Sequence, residues 1–422
     1  MYKKQKLDNG LRIVAAPMPR MQSAALGIWV RVGGRHENAA NKGTAHFLEH
    51  LLFKGSKNYT CRKLKEAIEG VGGALNGFTS EELTCYLVKT PAKHIESALD
   101  VLSDMVIYPT LPECEIEKEK TVITEEIKMY RDQPQSHVYE LLDELLWPEQ
   151  PLGAPIIGTE ESVNAITRKS LVSFKERHYN VFSMVISVAG LFDYGRLTKR
   201  ISRIYSPLKA KEPVDFLPVR ESQNRPQIKL LSKETEQTHL ALGFHALKRD
   251  DPLRHAMGLL HVVLGGNMSS RLFNELREDR GLAYEIGTGV KRYYDTGAFL
   301  VHAGIDNSKV TEAVSLILKE LSRVKTGLVT DDEFRRAKEF YRGQMTLALE
   351  DTMDSMLWIG ETTAALDKTY TLEELIKEIN KVRKEDIRQA ARFIFENNKM
   401  SLALIGPLKD KEGEISKHLI LG

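Results

Sequence analysis

His46-Phe47-Leu48-Glu49-His50 lies inside residues 44–53, a stretch whose pattern predicts a helix. Residues four apart on a helix lie one above the other, so His46 and His50 share a face. Two imidazoles in that arrangement can bind one zinc ion at about 2.0–2.1 Å each. Glu49 points roughly the same way, and its carboxylate can take a proton from a zinc-activated water. The stretch therefore predicts a zinc site with a general base beside it.

Two histidines and a water leave a tetrahedral zinc ion one protein ligand short. The best source of the third ligand is residues 113–130, a long run with helical periodicity. A 4-3-4 spacing places four of its residues on one face: Glu115, Glu119, Val122 and Glu126. We expect Glu126 to be the third ligand, and Glu119 to orient a ligating histidine or to share protons with the site. Glu125 is the rival ligand, although it faces about 100° round the helix from Glu126.

These residues resemble the pitrilysin or insulinase family of zinc peptidases, whose His-x-x-Glu-His order reverses the commoner metalloprotease motif. The likeness is strongest to the short branch that includes mitochondrial processing peptidase and its bacterial relatives. Residues 7–11, 72–79 and 277–284 carry the same resemblance, which spans essentially the whole chain. One position departs from the family pattern, because Gly77 stands where alanine usually follows the asparagine. That glycine leaves the strand edge looser.

The resemblance implies roles for residues outside the zinc-binding set, with one zinc ion per chain. Tyr284 would take part in catalysis by stabilising the oxyanion, and Arg277 would hold substrate carbonyls. Asn76 and Gly77 would lie on an edge strand to which an extended substrate adds as a further strand. Such recognition reads the backbone, so we expect a broad sequence preference.

The second half of the chain repeats the first. Residues 184–190 match residues 400–406 as a strand, and residues 94–99 have the helical pattern of residues 310–315. Each half therefore predicts an α+β unit of strand, helix, strand, paired helices and strand. The resemblance adds a mostly antiparallel sheet with helices packed on one face, and makes the two homologous domains half of a clamshell chamber.

The repeat divides the chain into a zinc-binding catalytic domain at residues 1–205 and an inactive repeat domain at residues 227–422. Between them, residues 206–226 predict a linker or hinge, with mixed charges and four prolines: Pro207, Pro213, Pro218 and Pro226. We expect the second domain to contribute the substrate-binding arginine and tyrosine.

Alignment of residues 53–55 with residues 264–266 compares the two domains position by position. Met257, Leu260 and His261 then stand opposite the three motif residues of the first domain, and Ala337 and Gln344 stand opposite its two helical glutamates. A single histidine cannot hold zinc, so the chemistry is predicted to lie in the first domain.

Composition is that of a soluble enzyme. The 422 residues suggest two domains, and the hydrophobic content of 42% and charged content of 28% are globular values. A net charge of +2 favours neither nucleic acid nor a membrane surface as partner. No signal peptide, transit peptide or membrane span is recognisable, and Cys61, Cys85 and Cys114 fit no disulfide or metal spacing. We therefore expect a cytoplasmic protein.

The predicted function is a zinc-dependent endopeptidase that hydrolyses peptides or unfolded segments held in an enclosed chamber. Relatives with a closed chamber use four such domains, so the resemblance implies a homodimer, or a heterodimer with an inactive homologue. Two alternatives stay open: a non-catalytic or partner-dependent structural subunit of the same fold, and a peptidase that removes targeting presequences. The presence of all four metal-site positions argues against the structural subunit.

Overall fold

The computed structural model of the chain describes residues 2–212, 214–409 and 411–421. Of the predicted linker, Pro213 lies outside the described residues. The chain folds into two units, each assembled from three stretches of sequence. Unit 1 comprises Met1–Lys128, Pro155–Leu217 and Thr346–Leu372, and unit 2 comprises Met129–Ala154, Pro218–Met345 and Glu373–Gly422.

Unit 1 is built on a sheet of six strands: β1 (Lys3–Lys6), β2 (Arg12–Pro17), β3 (Ser23–Val30), β4 (Ala74–Thr79), β5 (Thr84–Pro91) and β6 (Met184–Gly190). Their order across the sheet is β1-β2-β6-β3-β5-β4. Neighbours are antiparallel except for the parallel pair β2 and β6. The strand β4 therefore lies at one edge.

Unit 2 repeats this arrangement with five strands: β7 (Gln227–Ser232), β8 (Thr238–Ala246), β9 (Ala283–Arg292), β10 (Gly297–Ile305) and β11 (Met400–Gly406). Their order is β7-β11-β8-β10-β9, and only β7 and β11 run parallel. This order reproduces β2-β6-β3-β5-β4 of unit 1. The predicted α+β class, internal duplication and mostly antiparallel sheets are confirmed.

The helices are α1 (Thr44–Leu52), α2 (Cys61–Glu69), α3 (Ile95–Ile107), α4 (Glu113–Asp132), α5 (Pro134–Leu146), α6 (Glu160–Ala165), α7 (Arg168–His178), α8 (Tyr194–Tyr205), α9 (Arg254–Leu264), α10 (Val310–Thr326), α11 (Asp331–Ala348), α12 (Thr352–Leu366), α13 (Leu372–Lys381), α14 (Lys384–Ile394) and α15 (Glu412–Ser416). A π-helical turn covers Phe273–Glu278. Within the described residues, no helix combines the length and the hydropathy that a membrane crossing requires.

Two helices are exchanged between the repeats. The helix α12 follows the second repeat's α11 but packs on β2, β3 and β6 of unit 1, whereas α5 follows α4 but packs on β8 and β11 of unit 2. The units are therefore discontinuous, unlike the continuous ranges that we predicted. In unit 1, α12 supplies cover for β3, which is buried along nearly its whole length and so is covered on both faces of the sheet.

Gly360 allows α12 to lie close to the sheet. A Cβ added there would clash with Trp29 Nε1 and lie 2.5 Å from Ser187 Oγ, two atoms that share a hydrogen bond of 2.8 Å. We expect Gly360→Ala to lower the free energy of unfolding by about 1–3 kcal/mol through overpacking, which outweighs a helix-propensity gain of up to about 1 kcal/mol. Calorimetric or denaturant unfolding measures the change.

Gly343→Ala in α11 is the matched control, because a Cβ added there meets nothing within 4 Å. This substitution should raise the free energy of unfolding by up to about 1 kcal/mol. Similar shifts in the two variants would contradict the close packing of α12.

Candidate metal centre

The helix α1 carries both histidines and is anchored at its first turn. The buried carboxylate of Glu37 accepts the backbone N–H of Gly43 at 2.7 Å and that of Ala45 at 2.6 Å. A carboxylate at this end also complements the helix dipole. On one side the helix buries Phe47, Leu48, Leu51 and Leu52 in the core of unit 1. The opposite side presents the two imidazoles.

Glu126 of α4 lies beside both imidazoles. Its Oε1 is 4.0 Å from His46 Nε2, and its Oε2 is 3.7 Å from His50 Nε2. One ligand atom from each of the three residues lies within 4.8 Å of the others. Two ligand atoms on a tetrahedral zinc ion are about 3.4 Å apart, so these residues fit one zinc ion after a small contraction. Among the described residues, this is the one group of metal-binding side chains so closely gathered.

Glu125, the rival ligand, faces away from the histidines. Its side chain is 66% exposed and pairs with Lys128 at 2.8 Å. The difference between neighbouring residues follows from the 100° turn per residue of the helix. The role of Glu126 as the third ligand stays a prediction, and its position agrees with that role.

Glu119 contacts the ring nitrogen of His50 that does not face Glu126. Its side chain is 4% exposed, with Oε1 3.1 Å from His50 Nδ1 and Oε2 2.6 Å from Lys54 Nζ. The contact with His50 is the one expected of an orienting carboxylate. We did not anticipate the contact with Lys54, which lies two residues past the end of α1 and reaches across to α4.

Burial and neighbouring charges shift the pKa values of the histidines and of Glu119. Burial, with the nearby His50, lowers the pKa of His46 to about 3, which keeps its ring neutral as a ligand must be. Burial opposes charge on His50, but the hydrogen bond with Glu119 and the charges of Glu49 and Glu126 outweigh it and raise the pKa of His50. Burial would raise the pKa of Glu119, but the hydrogen bond with His50 and the nearby ammonium group of Lys54 lower it.

Glu49 lies next to the ligands and against the edge strand β4. Its side chain is buried, and Oε2 accepts a hydrogen bond of 3.0 Å from Thr79 Oγ1. A Cβ added at Gly77 would lie 3.2 Å from Glu49 Oε1, so the strand approaches the carboxylate closely. Burial raises the pKa of Glu49, although the hydrogen bond from Thr79 lowers it. We missed Thr79, which the period of two along a strand would have placed on the same face as Gly77.

Asn76 lies on the other face of β4. Its side chain is exposed, and its Oδ1 accepts the backbone N–H of Gly77 at 2.8 Å. The structure thus brings Gly77, but not the Asn76 side chain, next to Glu49. Because β4 is an edge strand, one side of its backbone has no neighbouring strand in this sheet. The substrate-binding roles of both residues stay predictions.

Arg277 and Tyr284 belong to unit 2, whereas the zinc-binding candidates belong to unit 1. Arg277 lies in the π-helical turn, a form of helix that is frequent at functional sites. Its guanidinium carbon is 5.5 Å from the ring centroid of Tyr284 and 4.8 Å from that of Phe273. Tyr284 is the second residue of the edge strand β9 and is 73% exposed. The predicted pair is therefore together and accessible, and its catalytic role stays a prediction.

His261 is the counterpart of His50 in unit 2. Its Nδ1 is 2.7 Å from Thr288 Oγ1, a hydroxyl in place of a carboxylate. Ala337, aligned with Glu119, is buried at the corresponding point of α11. Unit 2 thus keeps the scaffold and one histidine of the site, with the other aligned groups replaced.

Two family models match adjoining parts of the chain. The model of the insulinase family, peptidase family M16, matches residues 12–160, and that of the peptidase M16 inactive domain matches residues 165–341. An uncharacterized zinc protease of Bacillus subtilis is 37% identical over 96% of this chain and 98% of its own length. Another, from Streptomyces coelicolor, is 36% identical over 96% of this chain and 90% of its own length.

Solved structures show the same fold. A protease from Helicobacter pylori aligns with a TM-score of 0.91 at 22% identity, covering 96% of this chain and 99% of its own. A structure from Pseudomonas fluorescens is described as a peptidase M16 inactive domain. It aligns with a TM-score of 0.88 at 19% identity, covering 96% of this chain and 98% of its own. At these identities the likeness concerns the fold alone.

Proposed function

Since the chain belongs to the insulinase family, peptidase family M16, we propose that it is a zinc-dependent endopeptidase. One observation carries the proposal: the ligand atoms of His46, His50 and Glu126 lie within 4.8 Å of one another, with Glu49 beside them. Relatives named as zinc proteases support the same chemistry. These three residues would hold one zinc ion per chain.

When bound, zinc would acidify a water molecule and polarise the scissile carbonyl. Glu49 takes the proton from the attacking water and later delivers it to the leaving amine nitrogen. Burial raises the pKa of Glu49, which makes it a stronger base than an exposed glutamate. The hydrogen bond from Thr79 to one carboxylate oxygen orients the other. Glu119 keeps the His50 ring in place through Nδ1.

We further propose that the substrate is an extended peptide or unfolded segment that adds to β4 beside Asn76 and Gly77. The free edge of β4 and the closeness of Gly77 to Glu49 support this placement. Arg277 would hold substrate carbonyls, and Tyr284 would stabilise the oxyanion. A second chain would supply them, in a homodimer or in a heterodimer with an inactive homologue, around an enclosed chamber.

Removal of the metal tests the proposal. Purified chain with one equivalent of zinc should cleave a quenched-fluorescent peptide, a chelator should abolish cleavage, and one equivalent of added zinc should restore it. Elemental analysis of the active protein should give one zinc ion per chain. A folded, zinc-loaded chain that cleaves none of a diverse set of peptides would instead support the non-catalytic or partner-dependent subunit.

A further inference from the structure

Lys54 lies just past the end of α1 and contacts the carboxylate that orients His50. Its Nζ is 2.6 Å from Glu119 Oε2, while Oε1 of the same carboxylate is 3.1 Å from His50 Nδ1. The Glu119 side chain is 4% exposed and that of Lys54 is 27% exposed. Each carboxylate oxygen thus faces a different donor, and the two contacts together restrain rotation of the carboxylate.

The two histidines of the site differ in the contacts of their Nδ1 atoms. His50 Nδ1 contacts Glu119, whereas His46 Nδ1 is buried and has no hydrogen-bond partner among the described residues. Orientation of a ligating imidazole usually depends on a hydrogen bond to its second nitrogen. For this pair of histidines, the carboxylate held by Lys54 therefore provides the orienting contact.

Unit 2 shows that the fold does not require the lysine and glutamate pair. Gly265 stands in the aligned position of Lys54, and Ala337 in that of Glu119. The histidine is kept as His261, whose Nδ1 contacts the hydroxyl of Thr288. Both members of the pair are therefore absent from the unit that keeps only one of the aligned metal-binding residues. Within this chain, the lysine and glutamate pair is present in the unit that has the zinc-binding residues. It is missing from the unit that has the same scaffold without them.

We propose that Lys54 is a positioning residue for zinc, acting through Glu119 on His50. Its ammonium group holds the buried carboxylate in the orientation that directs His50 Nε2 towards Glu126. Removal of one partner of such a pair leaves the other charge buried without compensation, so the carboxylate would shift towards water. The His50 ring would then lose its fixed orientation. This inference rests on the proposed zinc site and adds a residue to it.

The test measures the zinc dissociation constant of the full chain by competition with a chromogenic chelator. Lys54→Met should weaken zinc binding about 10–100-fold, the usual cost of losing an outer contact to a metal ligand. Lys54→Arg keeps the charge and should stay within about threefold of wild type. Lys120→Met is the control, since Lys120 is a partly buried lysine on α4 paired with Glu117 at 2.9 Å. It should bind zinc as wild type does.

A double-mutant cycle shows whether Lys54 acts through Glu119. If it does, adding Lys54→Met to Glu119→Gln should cause no further loss of zinc affinity. Additive losses would overturn the inference. So would a Lys54→Met protein that melts at a lower temperature without its metal yet binds zinc as tightly as wild type, because the pair would then be only structural. Lys54→Gln replaces Lys54→Met if the latter does not fold.

Failure of this inference and failure of the proposed function give different results. A wild-type chain that binds no zinc overturns both. A wild-type chain that binds zinc, with Lys54→Met and Lys54→Gln unchanged in affinity, overturns only the role of Lys54.

Discussion

Glu49→Gln should reduce kcat for peptide hydrolysis by about 10²–10⁴-fold, the usual contribution of a general base. The amide has nearly the same shape and can still accept the hydrogen bond from Thr79, but it cannot take a proton from water. Because burial raises the pKa of Glu49, the fold disfavours its charged form, and loss of the charge should not lower stability. Steady-state kinetics with zinc titration measures both effects.

Glu69→Gln makes the same chemical change at an exposed position of α2 and serves as control. Its kcat should equal that of wild type. Both variants should bind one zinc ion per chain with wild-type affinity. Retention of full activity by Glu49→Gln would show that another group takes the proton. Loss of zinc from that variant would assign Glu49 to metal binding instead.

Glu126→Gln should weaken zinc binding by more than about 100-fold, beyond the range for groups that only orient a ligand. A neutral amide is a poor ligand compared with a carboxylate, and His46 and His50 alone leave zinc without its third protein ligand. Hydrolysis should fall in parallel at limiting zinc. Competition with a chelator and activity at several zinc concentrations give the two readouts.

Glu125→Gln supplies a control one residue away on the same helix. Its carboxylate pairs with Lys128 and is mostly exposed, so its loss should leave zinc affinity and activity within about twofold of wild type. The opposite result, with Glu125→Gln losing zinc and Glu126→Gln keeping it, would mean that α4 is rotated in the zinc-bound protein.

The parts of the site that could be predicted from the sequence lie on single helices. The spacing of His46 and His50, and that of Glu119 and Glu126, follow from helical geometry alone, and the structure places the four side chains together. Contacts between separate elements were harder to foresee. Thr79 and Lys54 carry no motif, and each meets its partner only when a strand or a second helix is packed against α1.

The exchange of helices could not be read from hydrophobic patterns. Both α5 and α12 present apolar residues, and β3 is buried on both faces, but such patterns do not say which of two similar sheets a helix covers. Because the two halves arose by duplication, each sheet offers a similar surface. The choice between them depends on the path of the chain and not on local composition.

That exchange bears on how the protein is made. Domains usually fold as units during synthesis, beginning with the N-terminal one. Here the sheet of unit 1 stays uncovered on one face until α12, which ends at Leu366, has left the ribosome. For most of translation, Trp29 and its apolar neighbours on that face would be open to water. We therefore expect the nascent chain to expose this apolar face for longer than a protein with two sequential domains would.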